Sequence, residues 1–193
     1  MSTAPIARQV DFTANNLLVA FEGEVNTRAR YLAFAARADA EGHCGIGSLF
    51  RAAARAEQIH AGHQARVLRQ MGENTDVAAE PCVVHSTEYN LQSALAGETY
   101  EIEVLYPAFV EEATARINTG AARSFTWALE AEKTHAELFS EALQLLQDEI
   151  PDPRIGEAHD FFVCPVCACT SRNLPEEYCT ICNYPSVRVE TVR

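Results

Sequence analysis

The chain has 193 residues, 48% of them hydrophobic, and a formal net charge of −12. That length suits one sizeable core with a small appendage, and that composition excludes a disordered polymer. The negative charge argues against nucleic acid or an anionic membrane as partner, because little here would neutralise phosphates. Residues 1–12 hold no apolar stretch of the kind that directs secretion, and no apolar run is long enough to cross a membrane. Seven cysteines, four of them in two Cys-x-x-Cys pairs, read as a metal site in a reducing compartment and not as a disulfide framework. A cytoplasmic location is expected.

Four helices are predicted in chain order. The first spans residues 11–41, where Leu17, Phe21, Glu24, Arg28, Tyr31 and Ala35 follow the three-and-four spacing of one helical stripe. Gly42 closes it. The second spans residues 46–71, with Phe50, Ala53, Glu57, His60, Gln64 and Val67 on its stripe, and Gly72 closes it. Residues 73–85 are polar, contain Pro81 and show no period, so they read as a long connection. The third helix spans residues 86–118, with Leu91, Leu95, Glu98, Ile102, Leu105 and Phe109 on its stripe. Pro107 should kink it or break a hydrogen bond. The fourth spans residues 120–149 and carries Phe125, Ala128, Glu132, His135 and Phe139. Pro151 and Pro153 then begin a linker.

Short turns join the first two helices and the last two, so each pair is an antiparallel hairpin. The middle connection is about 14 residues and reaches about 45 Å, the length of a thirty-residue helix. It can cross the whole bundle. This is a mainly α chain, a four-helix bundle with one long crossover, the ferritin-like arrangement. Residues 1–150 would form the bundle, 151–159 a linker, and 160–193 a small β-rich module around the paired cysteines.

The bundle repeats one pattern. Gly23-Glu24 precedes Glu57-x-x-His60 by the same interval, within one residue, that separates Gly97-Glu98 from Glu132-x-x-His135. A tyrosine follows the first glutamate of each copy by about two turns, Tyr31 and Tyr106. A Glu-x-x-His pair puts both side chains on one helix face. Four glutamates on core-facing stripes would be costly unless something cationic compensates. Glu101, one turn past Glu98, is a fifth carboxylate; its counterpart in the first copy is Thr27, so the repeat is asymmetric there. Mixed carboxylate and imidazole donors suit a pair of iron or manganese ions.

Cys164-Pro165-Val166-Cys167 and Cys179-Thr180-Ile181-Cys182 are two knuckles that can enclose one metal tetrahedrally, zinc or a single iron. Cys44, Cys82 and Cys169 read as structural or incidental.

The segment around Ala20-Phe21-Glu22-Gly23-Glu24 with Arg28, Arg30 and Tyr31 resembles the first helix of rubrerythrins. So do Gly97-Glu98-x-x-Glu101 with Tyr106-Pro107, Glu132-x-x-His135 and the C-terminal cysteine pairs, which together cover nearly the whole chain. The resemblance implies a di-iron site bridged by Glu57 and Glu132, with Glu24, Glu98 and His135 as terminal ligands. It implies that Glu101 and His60 alternate at one iron, and that Tyr31 and Tyr106 sit nearby as hydrogen-bond or proton donors. The cysteine module is similar to the rubredoxin-like domain of that family, with one iron that transfers electrons. Ala168 and Asn183 stand where rubredoxin knuckles usually have glycine. The resemblance further implies a hydrogen peroxide reductase fed by an external NAD(P)H-dependent reductase and working as a head-to-tail homodimer. A linker extended to about 30 Å would hold the cysteine site away from its own bundle and beside the partner's. A ferroxidase or iron-handling protein is the alternative function, and a structural or sensing protein with zinc at the cysteines is a third.

Overall fold

The computed structural model describes residues 12–148 and 151–193. Four long helical rods form the bundle. α1 is Phe12–Ala40 and α2 is Cys44–Gln70; α3, Thr87–Tyr100, continues through a π-helical segment, Glu101–Leu105, into α4, Tyr106–Ala115. α5 is Thr119–Gln147. The starts and ends expected at Asp11 and Glu149 lie outside the described residues.

Gly42 (φ 85°) and Gly72 (φ 81°) end α1 and α2 in the left-handed conformation, as their positions predicted. The amide of His43 donates to Ala38 O at 2.8 Å and that of Glu73 to Leu68 O at 3.0 Å, the closing bonds of a Schellman motif. After α4 the same role falls to Ile117 (φ 58°), which sequence patterning did not single out. Residues 73–86 cross the bundle without helix or strand, as expected of the long connection.

Pro107 does disturb the third rod, but by widening it. Its missing N–H cannot close a normal helical turn, and the chain inserts a π turn in which the Tyr106 amide donates to Glu101 O, five residues back. The break falls at Glu101, beside the repeated carboxylates.

The core divides in two. One half gathers Tyr31, Phe34, Phe50 and Phe139, whose adjacent ring centroids lie 5.2–6.3 Å apart. Each such aromatic pair contributes about 0.5–1.5 kcal/mol beyond area burial. The other half holds Leu17, Phe21, Leu68, Tyr106 and Phe125. The repeated Glu and His residues lie near the boundary of the two halves, so they meet in the middle of the bundle.

The rest of the chain is a module lying along α2 and α5. A short turn, α6 (Pro153–Gly156), leads to a three-stranded antiparallel sheet ordered β2-β1-β3, from Thr170–Ser171, Phe161–Val163 and Glu190–Val192. The extended spacer expected here does not form. Pro153 starts a helical turn that buries Ile155. Gly45 lets α6 approach α2 so closely that a Cβ there would stand 2.2 Å from Arg154 O. Arg55 then grips Glu190 through two bonds of 2.6 and 2.8 Å, while Arg154 and Arg172 both reach Glu141. The module therefore docks on its own bundle, which corrects the expectation of a long reach away from it.

Candidate metal centres

Each rod delivers its repeated Glu and His residues on the buried stripe that the sequence predicted, whereas Arg28, expected on the same stripe of α1, is exposed. Glu24, Glu57, His60, Glu98, Glu132 and His135 are all buried. They form two sets of possible ligands: Glu24, Glu57, His60 and Glu132 in one, and Glu57, Glu98, Glu132 and His135 in the other. The two sets share Glu57 and Glu132. His60 Nδ1 lies 2.9 Å from Glu132 and 3.1 Å from Glu57. His135 Nδ1 lies 2.6 Å from Glu132 and 3.8 Å from both Glu57 and Glu98. Glu101 belongs to neither set, but Glu24, Glu132 and His60 all act on its charge.

The tyrosines cross over between the copies. Tyr31 of the first copy donates to Glu98 Oε1 of the second at 2.6 Å, and Tyr106 of the second donates to Glu24 of the first. Gln64 adds bonds to Glu24 (3.1 Å) and to the Tyr106 hydroxyl (3.2 Å). Gln64 stood on the predicted stripe, yet the site prediction missed it, because the motif names only the third residue after Glu57.

Burial, and then the carboxylates of Glu132 and a neighbour, push Glu57 and Glu98 well above the usual carboxylate range. Burial and then Glu24 do the same for Glu101. Burial also opposes charge on Glu132, but His60 and His135 outweigh it and hold that carboxyl low. His60 is raised despite burial, by Glu132 and Glu24. Both tyrosines are raised by burial and then by the carboxylate each one touches.

Four buried carboxyls, with half-buried Glu101 beside them, repel one another. Glu24 Oε2 and Glu57 Oε1 have no hydrogen-bond partner among the described residues. Such oxygens cost several kcal/mol unless a cation takes them up. Two sets of hard oxygen donors, each with one imidazole nitrogen facing inward, fit a pair of iron ions.

The cysteine site is assembled as predicted. Cys164, Cys167, Cys179 and Cys182 converge, with Sγ–Sγ separations of 3.5 Å (Cys164–Cys182) and 3.4 Å (Cys167–Cys179). The knuckles match each other: Ala168 N donates to Cys164 O and Asn183 N to Cys179 O, both at 2.9 Å. Ala168 (φ 67°) and Asn183 (φ 57°) adopt the left-handed conformation despite having a Cβ.

Two contacts join the centres, and sequence reasoning found neither. The His63 ring donates to Val166 O at 2.7 Å and packs on Trp127, which borders the cysteines. Thr170 meets His135 Nε2 at 3.1 Å. The Thr170 hydroxyl also donates to Ala168 O at 3.0 Å, which spends its one proton. His135 must then be the donor, so its Nε2 carries hydrogen and Nδ1 is the ring nitrogen that faces the carboxylates.

Four rods with carboxylates and histidines on their inner faces define a ferritin-like di-metal protein, here with a four-cysteine site docked on its flank. The rubrerythrin family model matches residues 15–143. Rubrerythrin-2 of Clostridium acetobutylicum is 39% identical over 172 residues, 88% of this chain and 91% of that one. Nigerythrin of Nitratidesulfovibrio vulgaris is 35% identical, over 91% of this chain and 84% of that one. A structure of fully reduced nigerythrin superposes with a TM-score of 0.85 at 32% identity, covering 98% of this chain and 91% of that one. A ferritin of Archaeoglobus fulgidus shares the fold alone, with a TM-score of 0.63 at 17% identity over 75% of this chain and 91% of that one. The chain belongs to the rubrerythrin family. It is an oxidoreductase with a di-iron site of carboxylate and histidine ligands and a rubredoxin-like four-cysteine site.

Proposed function

We propose that the chain reduces hydrogen peroxide to water in oxidative-stress defence, with electrons arriving through its cysteine site from an external NAD(P)H-dependent reductase. One observation carries this reading. The cysteine module docks on the two helices that hold Glu57, His60, Glu132 and His135, and it bonds to His135 through Thr170. Chemistry would fall to residues 1–150 and electron storage to residues 160–193, with 151–159 joining them.

In this reading Glu57 and Glu132 would be shared by two irons; Glu24, Glu98 and His135 would each hold one; and Glu101 and His60 would be alternative ligands to one of them. Cys164, Cys167, Cys179 and Cys182 hold one further iron or zinc, and the electron route requires iron. Iron at the bundle site, when bound, supplies electrons for O–O cleavage. The protein manages protons and access. Reduction of one peroxide to two waters takes up two electrons and two protons. Tyr31 holds a proton against Glu98 and Tyr106 holds one against Glu24; burial keeps both phenols protonated at neutral pH. Glu101, raised by burial, can hold a proton beside the same centre.

Iron handling, the alternative, has no use for a cysteine module docked on the site. A head-to-tail homodimer and a cytoplasmic location remain part of the proposal, although docking within one chain means that electron delivery does not require the partner. Metal analysis with a reductase-coupled peroxide assay tests the reading. The expected result is two irons in the bundle, one at the cysteines, and ferric-thiolate bands that bleach on reduction and return with peroxide. Zinc at the cysteines with no coupled turnover would sink the electron route.

A further inference from the structure

Two adjoining cavities run from the surface toward the di-iron site. The outer one is a cleft of about 550 Å³ between α1, α3 and the crossover around Pro81. The inner one is a constriction of about 10 Å³, and it is lined in part by Tyr31 and Glu101. The two share Arg30, Phe34 and Ser93 in their walls. A space of roughly 10–15 Å³ admits one water-sized molecule.

The repeat is broken beside this constriction. Thr27 occupies the position equivalent to Glu101, and it lines the same space. Glutamates at both positions would meet across it. Ser93, Ala94 and Gly97 form the opposite wall on α3. A Cβ at Gly97 would meet nothing within 4 Å, so the room there is not taken up by packing. Arg30 is the one cation in this wall, and its guanidinium donates to Thr27 Oγ1 at 2.8 Å.

We infer that this passage is the oxidant's route to the irons and that the Arg30–Thr27 clasp sets its bore, so that hydrogen peroxide passes and bulky organic hydroperoxides do not. The inference rests on the peroxidase reading and adds a specificity-determining residue to it. A small neutral molecule crosses the guanidinium without penalty.

The test uses the iron-loaded full-length protein and two readouts: stopped-flow association of azide with the oxidised site, and second-order reduction rates for hydrogen peroxide and cumene hydroperoxide. Ser93→Phe, which narrows the passage, should slow both azide association and peroxide reduction about tenfold or more at unchanged iron content. Gly97→Val gives the same reading should Ser93→Phe fail to fold. Arg30→Ala should raise the rate with cumene hydroperoxide relative to hydrogen peroxide about tenfold. Azide association at the wild-type rate in both narrowed variants would overturn the route. Unchanged peroxide selectivity in Arg30→Ala would overturn the clasp. Azide association that slows in a protein inert to peroxide would keep the route and reject the peroxidase reading.

Discussion

Glu57 and Glu132 belong to both ligand sets, whereas Glu24 and Glu98 each belong to one. Glu57→Ala or Glu132→Ala should therefore release both bundle irons, measured as metal per chain, while the cysteine site keeps its own. A variant that retained two bundle irons with full activity would refute the bridging assignment. Ile117 tests something simpler. It is a β-branched residue in the left-handed region and 85% exposed, so its side chain gains little from packing. Ile117→Gly should stabilise the protein by about 1 kcal/mol and raise the melting temperature by about 2–4 °C. Unchanged or lower thermal stability would show that the conformation costs less than this. At this scale the sequence was most legible. The duplicated spacing located six buried ligand candidates and both tyrosines, because a helix converts fixed intervals into a shared face. Gln64 and Thr170 escaped because nothing in the pattern marks a side chain that acts only through its neighbour.

At the scale of elements, helix number, hairpin pairing and the crossover could all be read from apolar periodicity and glycine stops. The π segment could not be located, because Pro107 announces a disturbance without saying whether the rod bends or widens. The linker misled because Pro151 and Pro153 suggest extension, whereas proline is equally suited to a first helical turn, as Pro153 shows. The docking it permits makes Thr170 a positioning residue for His135. Thr170→Val keeps the shape and removes the acceptor. The variant should lose the slowly exchanging His135 Nε2 proton in nitrogen-15 NMR spectra of metal-free protein and release bundle iron to a chelator several-fold faster, while Thr170→Ser restores both. Wild-type exchange and iron retention in Thr170→Val would show that the contact is incidental.

Across the whole molecule, the crowded acids impose a pH dependence that metal should remove. Glu57, Glu98, Glu101 and His60 all have folded-state values raised above their ordinary ones. Each therefore contributes stability at low pH that is lost as pH rises through its folded value. Glu132 runs the other way, but only where acid begins to protonate it in the unfolded chain. Metal-free protein should thus lose stability between about pH 5 and pH 8, measured by urea unfolding, and iron should flatten the curve. A metal-free protein that gained stability over that range would contradict the burial of these groups.

Electron delivery is the other property of the whole chain. Cys179→Ser should abolish reductase-linked turnover and leave intact one oxidation of a chemically reduced bundle site by peroxide. Because the module docks on its own bundle, mixing Cys179→Ser with Glu132→Ala chains should restore little activity. Substantial restoration would mean that the partner's module serves the site.

The crossed tyrosines carry a consequence for ancestry. Each helical hairpin leaves its own first glutamate to be capped by the other hairpin's phenol, Tyr31 on Glu98 and Tyr106 on Glu24. Two identical hairpins related by a two-fold axis would make the same reciprocal exchange. The present chain has the form of such a pair fused into one polypeptide. Fusion is what allows the halves to diverge, since an identical pair must carry any change twice. Threonine at position 27 facing glutamate at 101 is a difference that a pair of identical hairpins could not hold.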